Sequence, residues 1–229
     1  MKARSMTTPT TEAPSFAAQL KSATRSEHDT AEHSSFIQDL MEGKLSAEDY
    51  VRLLAQYQPL YGALEKACAA WRSEPSVQQL LDPALDRSEA IRNDLAGLTE
   101  YLDIEMPDLT TAVTIYTQRI HEVGALPTPE RLIAHHYLRY LGDLSGGQAI
   151  GALVARHYNI PSELLTMWKF PTISKPKIYK DTYRIHLDHF AQQANQEDII
   201  DEARLGFALN RNLFVELGAP LSDNKDLYV

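Results

Sequence analysis

The chain has 229 residues, 44% of them hydrophobic and 23% charged, which is the ordinary balance of a globular domain. This composition excludes a mostly disordered chain, a collagen-like chain and a bundle of membrane helices. The formal net charge of −9 argues against nucleic acid as a partner, because binding to phosphates needs a positive surface.

The first part of the chain predicts a tail and two helices. Residues 1–13 are rich in Thr and Pro and show no periodicity, so we expect a disordered N-terminal tail. Ser15 precedes one long helical pattern, which Gly43 ends in the manner of a C′ glycine. Ser46, followed by an acidic first turn, begins the second helix.

The middle of the chain predicts three further helices. Two of them occupy residues 86–103 and 108–123. The clearest start signal follows, with Thr128 as the N-cap and Pro129 at the first helical position. The helical pattern then continues to about His157.

Two more helices, near residues 175–192 and 195–217, complete the predicted elements. We find no internal repeat and no convincing strand alternation, and the composition favours helix because Ala and Leu are abundant and Val is scarce. We therefore predict an all-α fold, with one helical domain at 14–220 and a C-terminal tail at 221–229.

The sequence carries no signal for export or membrane insertion. Its N-terminus lacks an apolar segment, and no uncharged apolar run approaches about 18 residues. Cys68 is the only cysteine, so no disulfide can form within the chain. We expect a cytoplasmic protein without a membrane anchor.

Glycines are concentrated in one predicted helix. Gly142, Gly146, Gly147 and Gly151 are four of the ten glycines in the chain. Each costs about 1 kcal/mol relative to Ala in a helix interior, so the four together cost roughly 4 kcal/mol. Gly142 and Gly146 lie on one face and leave bare backbone there. Such a face permits close approach of a flat ligand or of another helix.

Two charged residues lie within the glycine-rich stretch. Arg139 and Asp143 are four residues apart, a spacing that is typical of an ion pair on a helix surface. Their neighbours, however, are apolar residues and glycines. Asp143 also adjoins the glycine face, where a ligand could reach it.

A histidine flanked by cations is the second unusual feature. Lys21 and Arg25 lie on the same stripe of the first predicted helix as His28, and Glu32 follows four residues later. A single helical histidine is usually an ordinary core or surface residue. The cations favour another interpretation, in which a neutral imidazole binds haem iron and the cations bind the haem propionates.

A basic cluster near the end of the chain is the third feature. Lys180 and Arg184 are four residues apart on one predicted helix face. A charge run usually marks a solvated face, but in an acidic chain this cluster could also bind an anionic group.

The run Tyr137–Gly147, YLRYLGDLSGG, resembles the distal-helix signature of the haem oxygenases. Residues 20–36, with Lys21 and His28, are similar to the proximal helix of that family. Three other segments also match, at 61–65, 180–184 and 207–214. The resemblance extends in order from residue 15 to 218 and is strongest to soluble bacterial members of corynebacterial type.

The resemblance implies a fold that sandwiches haem between a proximal helix and a kinked distal helix. It implies that His28 is the axial iron ligand and that the backbone of Gly142 and Gly146 lies against the haem. It also implies that Asp143 organises distal water, with help from Tyr61, Arg139 and Asn210. The residues matched to other haem-binding positions are Lys21, Arg25, Glu32, Tyr137, Lys180, Arg184, Phe207 and Phe214. His33, His135 and His136 are not expected to bind iron.

The resemblance also implies an activity. Haem would be both cofactor and substrate, and O2 and electrons from a ferredoxin- or flavoprotein-type donor would convert it to biliverdin, CO and ferrous iron. We expect cleavage at the α-meso carbon, a monomeric enzyme and a role in iron acquisition. Two alternatives stay open, a module that stores or delivers haem and a helical scaffold without a ligand. The carboxylate of Asp143 argues against the haem carrier.

Overall fold

The computed structural model describes residues 14–219. Within this range the chain forms α1 (Phe16–Ala23), α2 (Arg25–Glu32), α3 (Ser35–Met41), α4 (Ala47–Ala69), α5 (Ser88–Leu102), α6 (Thr111–Gly124), α7 (Glu130–Gly142), α8 (Gln148–Tyr158), α9 (Pro176–Ala191) and α10 (Gln196–Gly218). A π-helical segment, Asp143–Gly147, joins α7 to α8. The described residues contain no β-strand, so the predicted all-α fold is confirmed. The predicted tails, 1–13 and 221–229, lie outside them.

The first long helix of the prediction is wrong, because the chain forms three short helices there. At Thr24 the backbone leaves helical geometry, with φ −108° and ψ 6°, and the hydroxyl donates a hydrogen bond to the carbonyl of Leu20 at 2.8 Å. A hydrogen bond from a side chain to a nearby backbone carbonyl competes with the backbone hydrogen bonds of a regular helix. A second break comes at Ser34, whose backbone is extended. Between the breaks, α2 has a single apolar residue, Ala31.

The start of α7 also differs from the prediction. The helix begins at Glu130, and Pro129 takes the N-cap position that was expected for Thr128. Pro129 has φ −90° and ψ −2°, and its carbonyl accepts the first helical hydrogen bond from the amide of Ile133. The predicted helical run to about His157 is otherwise confirmed, since α7, the π-helical segment and α8 follow one another without a gap.

Two long helices organise the packing. The 23-residue α4 packs against α5 and α6, and the 23-residue α10 packs against α7, α6 and α2. Their apolar faces meet in one continuous core, in which Leu54, Leu60 and Leu213 are fully buried. No helix among residues 14–219 is long and apolar enough to span a membrane. This arrangement brings α4, α7 and α10 together around the glycine-rich segment.

The predicted capping residues Ser15, Gly43 and Ser46 are found at their expected positions. The amide of Asp49 donates to the Ser46 hydroxyl at 3.1 Å, and the amide of Ser46 donates to the Asp49 carboxylate at 3.0 Å, which forms a capping box. Ser15 caps α1 through a longer contact of 3.4 Å with the amide of Ala18. Gly43 has a φ of 74°, as a C′ glycine requires.

The two serine caps give a paired test of stability. Ser46→Ala removes the capping box, and we expect it to lower the free energy of unfolding by about 1 kcal/mol in urea titrations. Ser15→Ala removes only the long contact, so its loss should be clearly smaller. Equal losses at the two sites would show that the geometry of the cap does not set its contribution.

Candidate active site

The glycine-rich segment presents two different faces. A Cβ atom built on Gly142 or on Gly146 meets no other atom within 4 Å, so this face is open. A Cβ atom on Gly147 would lie 2.6 Å from the ring of Trp168, and one on Gly151 would lie 3.0 Å from the same side chain. Both interpretations of the glycines therefore apply: one pair packs against a neighbour, and the other leaves room for a ligand.

A buried hydrogen-bond network lies beside the open face. The Tyr61 hydroxyl donates to the Asp143 carboxylate at 2.6 Å. Arg139 donates to the same hydroxyl from Nε at 3.1 Å and from Nη2 at 2.9 Å, and its Nη1 donates to the Asn210 side-chain oxygen at 2.7 Å. All four side chains are buried. The surface ion pair considered for Arg139 and Asp143 is therefore wrong, because Tyr61 connects two buried groups.

Burial controls the ionisation of this network. Burial raises the pKa of Asp143, although the positive charge of Arg139 and the hydrogen bond from Tyr61 oppose the rise. Burial also raises the pKa of Tyr61 well above its usual value, so the hydroxyl keeps its proton and remains a donor. The guanidinium of Arg139 lies 4.5 Å from the ring centre of Tyr57 and 4.8 Å from that of Tyr61. Tyr57 was not predicted as part of the site.

His28 lies on α2 and contacts α10. Its ring meets the edge of Phe207 with centroids 5.6 Å apart and planes at 74°, and its Nδ1 is 3.5 Å from the carboxylate of Asp29. The side chain is 47% exposed, so the imidazole is accessible from outside the apolar core. Phe214, two turns after Phe207 on α10, is buried in the core. The side chain of Glu32 lies outside the described part of the structure.

Three of the predicted anion-binding residues lie near the glycine-rich segment. Lys180 donates to the Ser145 hydroxyl at 2.9 Å and so connects α9 to the π-helical segment. Arg184 pairs with Asp181 at 2.7 Å, and its charge opposes the burial that raises the pKa of Tyr137. The side chains of Lys180, Arg184 and Tyr137 therefore lie close to one another.

The other two predicted cations are solvent-exposed. Lys21 lies on α1, which is held against α9 by a 2.7 Å hydrogen bond from the amide of Ala17 to Asp188. Arg25 is 3.9 Å from the carboxylate of Asp29, and its side chain is 83% exposed. Lys21 thus belongs to a helix that packs against α9, whereas the side chain of Arg25 extends into solvent.

Two of the histidines that were expected not to bind iron have structural partners in the interior. His135 contacts Glu202 through Nε2 at 2.8 Å. His136 contacts the Tyr183 hydroxyl at 2.8 Å, and burial lowers its pKa to about 3. The exposed His33 contacts the backbone carbonyl of Asp29 at 2.6 Å.

Known proteins match this chain over most of its length. Residues 14–216 match the family model described as heme oxygenase. The chain belongs to the haem oxygenase family. Heme oxygenase 1 of Synechocystis is 31% identical over 203 residues, which cover 88% of this chain and 84% of the relative. Heme oxygenase 1 of Rattus norvegicus is 35% identical over 208 residues, which cover 89% and 72%.

A solved structure extends the likeness to three dimensions. The crystal structure of heme oxygenase-1 from Synechocystis in complex with heme matches with a TM-score of 0.81 at 31% identity, covering 90% of this chain and 93% of that one. The predicted family and its activity, the degradation of haem to biliverdin, are confirmed. The corynebacterial subgroup is not, since these relatives are cyanobacterial and mammalian.

The residues of this haem oxygenase fit a haem substrate. The open face at Gly142 and Gly146 is a cradle that side chains would fill. His28 supplies an imidazole of the kind that binds haem iron. Lys180 and Arg184 are cations of the kind that bind carboxylate groups, and haem carries two of these at the edge of its ring.

The buried carboxylate of Glu202, which pairs with Arg119, predicts a pH-dependent stability. Burial opposes ionisation of Glu202, but hydrogen bonds from His135 and Arg119 outweigh it and lower its pKa to about 2. The ionised carboxylate therefore stabilises the fold fully above pH 4.5, its ordinary pKa, and this stabilisation is lost as the pH falls towards 2.

We expect Glu202→Gln to lower the free energy of unfolding by roughly 2 kcal/mol at pH 7. The difference from the unmodified haem oxygenase should shrink between pH 4.5 and 2, as urea titrations at several pH values would measure. Glu122→Gln is the matched control, because Glu122 is half-exposed and pairs with the same Arg119 at 3.2 Å. It should change stability by less than about 0.5 kcal/mol. A difference for Glu202→Gln that does not vary with pH would contradict this account.

Proposed function

We propose that this haem oxygenase cleaves haem at the α-meso carbon, with His28 as the axial iron ligand and Asp143 as the residue that controls proton supply. The proposal rests above all on the buried network of Tyr61, Arg139, Asn210 and Asp143 beside an open glycine face. Bound haem supplies the iron that binds and reduces O2.

His28 is proposed to bind the iron from the proximal side. A histidine ligand pushes less electron density towards iron than a thiolate does, which disfavours early cleavage of the O–O bond. The edge of Phe207 limits the rotation of the imidazole, because the two rings are in contact. Glu32 is proposed to orient His28 further, as expected from the family resemblance.

On the distal side, the glycines and Asp143 have complementary roles. Gly142 and Gly146 have no side chains, so the porphyrin can approach the helix backbone and no bulky group stands beside the oxygen. The Asp143 carboxyl, whose pKa is raised by burial, can hold a proton and pass it on through water. Tyr61 and Arg139 keep that carboxyl in one orientation, which preorganises proton delivery.

The orientation of the ring is proposed to come from its propionates. Lys21, Lys180, Arg184 and Tyr137 would bind them, and so fix which meso carbon faces the distal oxygen. Arg25 is kept as a further contact of this kind, although it lies in solvent. Phe207 and Phe214 would bind the ring on its apolar side.

Several features of the biological setting also belong to the proposal. Electrons would come from a ferredoxin- or flavoprotein-type donor that docks near the basic rim formed by Lys180 and Arg184. The enzyme would act as a monomer in the cytoplasm, and its main product for the cell would be iron. The corynebacterial subgroup and the domain limits of 14–220 remain predictions.

The assignment of His28 can be tested by spectroscopy and turnover together. We expect His28→Ala to lose the spectrum of histidine-ligated haem and to lose biliverdin formation, and added imidazole should restore the spectrum. His33→Ala, five residues later and exposed on the same segment, is the matched control and should behave like the unmodified enzyme. Unchanged spectra and turnover in His28→Ala would remove this residue from the mechanism.

The role of Asp143 gives a second test. Asp143→Asn keeps the shape of the side chain but removes the acid, so haem should still bind while the rate of biliverdin formation falls roughly 100-fold. Asp201→Asn, on the exposed surface of α10, is the control. Reversed-phase chromatography of the product from the unmodified enzyme identifies the isomer. A normal rate in Asp143→Asn would refute the acid role, and any isomer other than α would refute the proposed regiochemistry.

A further inference from the structure

The side chain of Trp168 packs against the π-helical segment Asp143–Gly147, called the distal segment below. It is 5% exposed, and its six-membered ring lies against Gly147 so closely that a built Cβ atom falls 2.6 Å from Cε3 and 2.9 Å from Cζ3. The other end of the side chain fills the space beside Gly151. The built Cβ of Gly147 is also 3.7 Å from the Cβ of Asp143. Trp168 therefore packs against the same turn of the chain that carries Asp143, the residue proposed to supply the proton.

Buried polar contacts hold Trp168 itself in place. Its indole N–H donates to the hydroxyl of Tyr50 at 2.9 Å, and Tyr50 is fully buried on α4. One turn of 3₁₀ helix, Thr166–Trp168, is fixed by Asp94, which accepts from the Thr166 hydroxyl at 2.6 Å and from the Met167 amide at 2.8 Å.

A buried arginine fixes the backbone on both sides of the tryptophan. The guanidinium of Arg87 donates to the carbonyl of Met167 at 3.4 Å and to the carbonyl of Lys169. It also stacks 4.1 Å from the ring centre of Phe170. Neither Trp168 nor Arg87 lies within 4 Å of a Cβ atom built on Gly142 or Gly146. The uncharged Trp168 can therefore act on that face only through the segment it packs against, whereas the charge of Arg87 also opposes the rise in the pKa of Asp143 directly.

We propose that Trp168 is a positioning residue for haem cleavage, because it fixes where the π-helical segment lies relative to the neighbouring helices and thereby fixes the position of Asp143. The segment lacks regular α-helical geometry and is rich in glycine, so its own backbone does little to fix it. The rigid indole ring packs against one face of the segment. It therefore limits how far the segment can move away from the proposed haem site on its opposite face. This inference rests on the proposed role of Asp143.

A double-mutant cycle tests the contact directly. In Gly147→Ala the new methyl group collides with Trp168, so the apoprotein should unfold at lower urea concentration and haem turnover should fall roughly 10-fold or more. In a Trp168→Leu background the smaller side chain leaves room, so the same Gly147→Ala change should have a several-fold smaller effect on both quantities. Equal effects in the two backgrounds would overturn the proposal.

A spectroscopic readout separates positioning from general stability. Trp168→Leu should still bind haem, but it should form less biliverdin per haem consumed. When the visible spectrum of its ferric haem complex is recorded as a function of pH, the midpoint of the spectral change should be shifted from that of the unmodified protein. Tyr50→Phe, which removes the acceptor of the indole N–H, should shift that midpoint in the same direction by less. Trp71→Leu is the control, since it replaces the other tryptophan outside the distal segment.

The outcomes are distinguishable from those for the function itself. If Trp168→Leu is less stable but keeps the midpoint and the biliverdin yield, the residue is only structural and the proposal fails. If the unmodified protein degrades haem while Asp143→Asn has no effect, the proposed role of Asp143 fails and the positioning role of Trp168 fails with it, whereas the haem oxygenase activity itself stands.

Discussion

The buried guanidinium of Arg139 is the constraint on which the rest of the structure depends. Taking a cation out of water costs several kcal/mol unless hydrogen bonds and nearby charge offset it. Here the compensation needs three helices to meet, because Tyr61 belongs to α4, Asn210 to α10, and Asp143 directly follows α7. The ring of Tyr57 covers another side of the guanidinium. The packing of the bundle and the chemistry of its site therefore depend on the same contacts.

The hydroxyl of Tyr61 decides how that charge acts on Asp143. It accepts two hydrogen bonds from Arg139 and donates one to the Asp143 carboxylate. A direct ion pair would hold the pKa of Asp143 low. With a neutral hydroxyl between the two charges, burial prevails and the pKa of Asp143 rises. The Asp143 carboxyl can therefore hold a proton, and the hydrogen bond from Tyr61 fixes its orientation.

Local signals predicted the parts of the fold that depend on neighbouring residues. The cap at Ser46 and the turn at Gly43 need only a few residues, and the concentration of glycines marked the distal segment. The break at Thr24 was missed because a helical pattern can continue across a residue whose hydroxyl bonds to the preceding turn. The packing of Trp168 against the distal segment could not be predicted. Trp168 is held in place by a hydrogen bond to Tyr50, which lies 118 positions earlier in the chain.

One turn of α10 joins the proximal and distal sides of the site. Phe207 contacts His28, and Asn210, three residues later, binds Arg139. An eight-residue helix needs packing to be stable, yet α2 has only Ala31 as an apolar residue, so the core does little to fix it. Its position depends instead on α10. Because α10 packs against α2 and also supplies Asn210 to the network around Arg139, one helix positions both His28 and the buried polar groups.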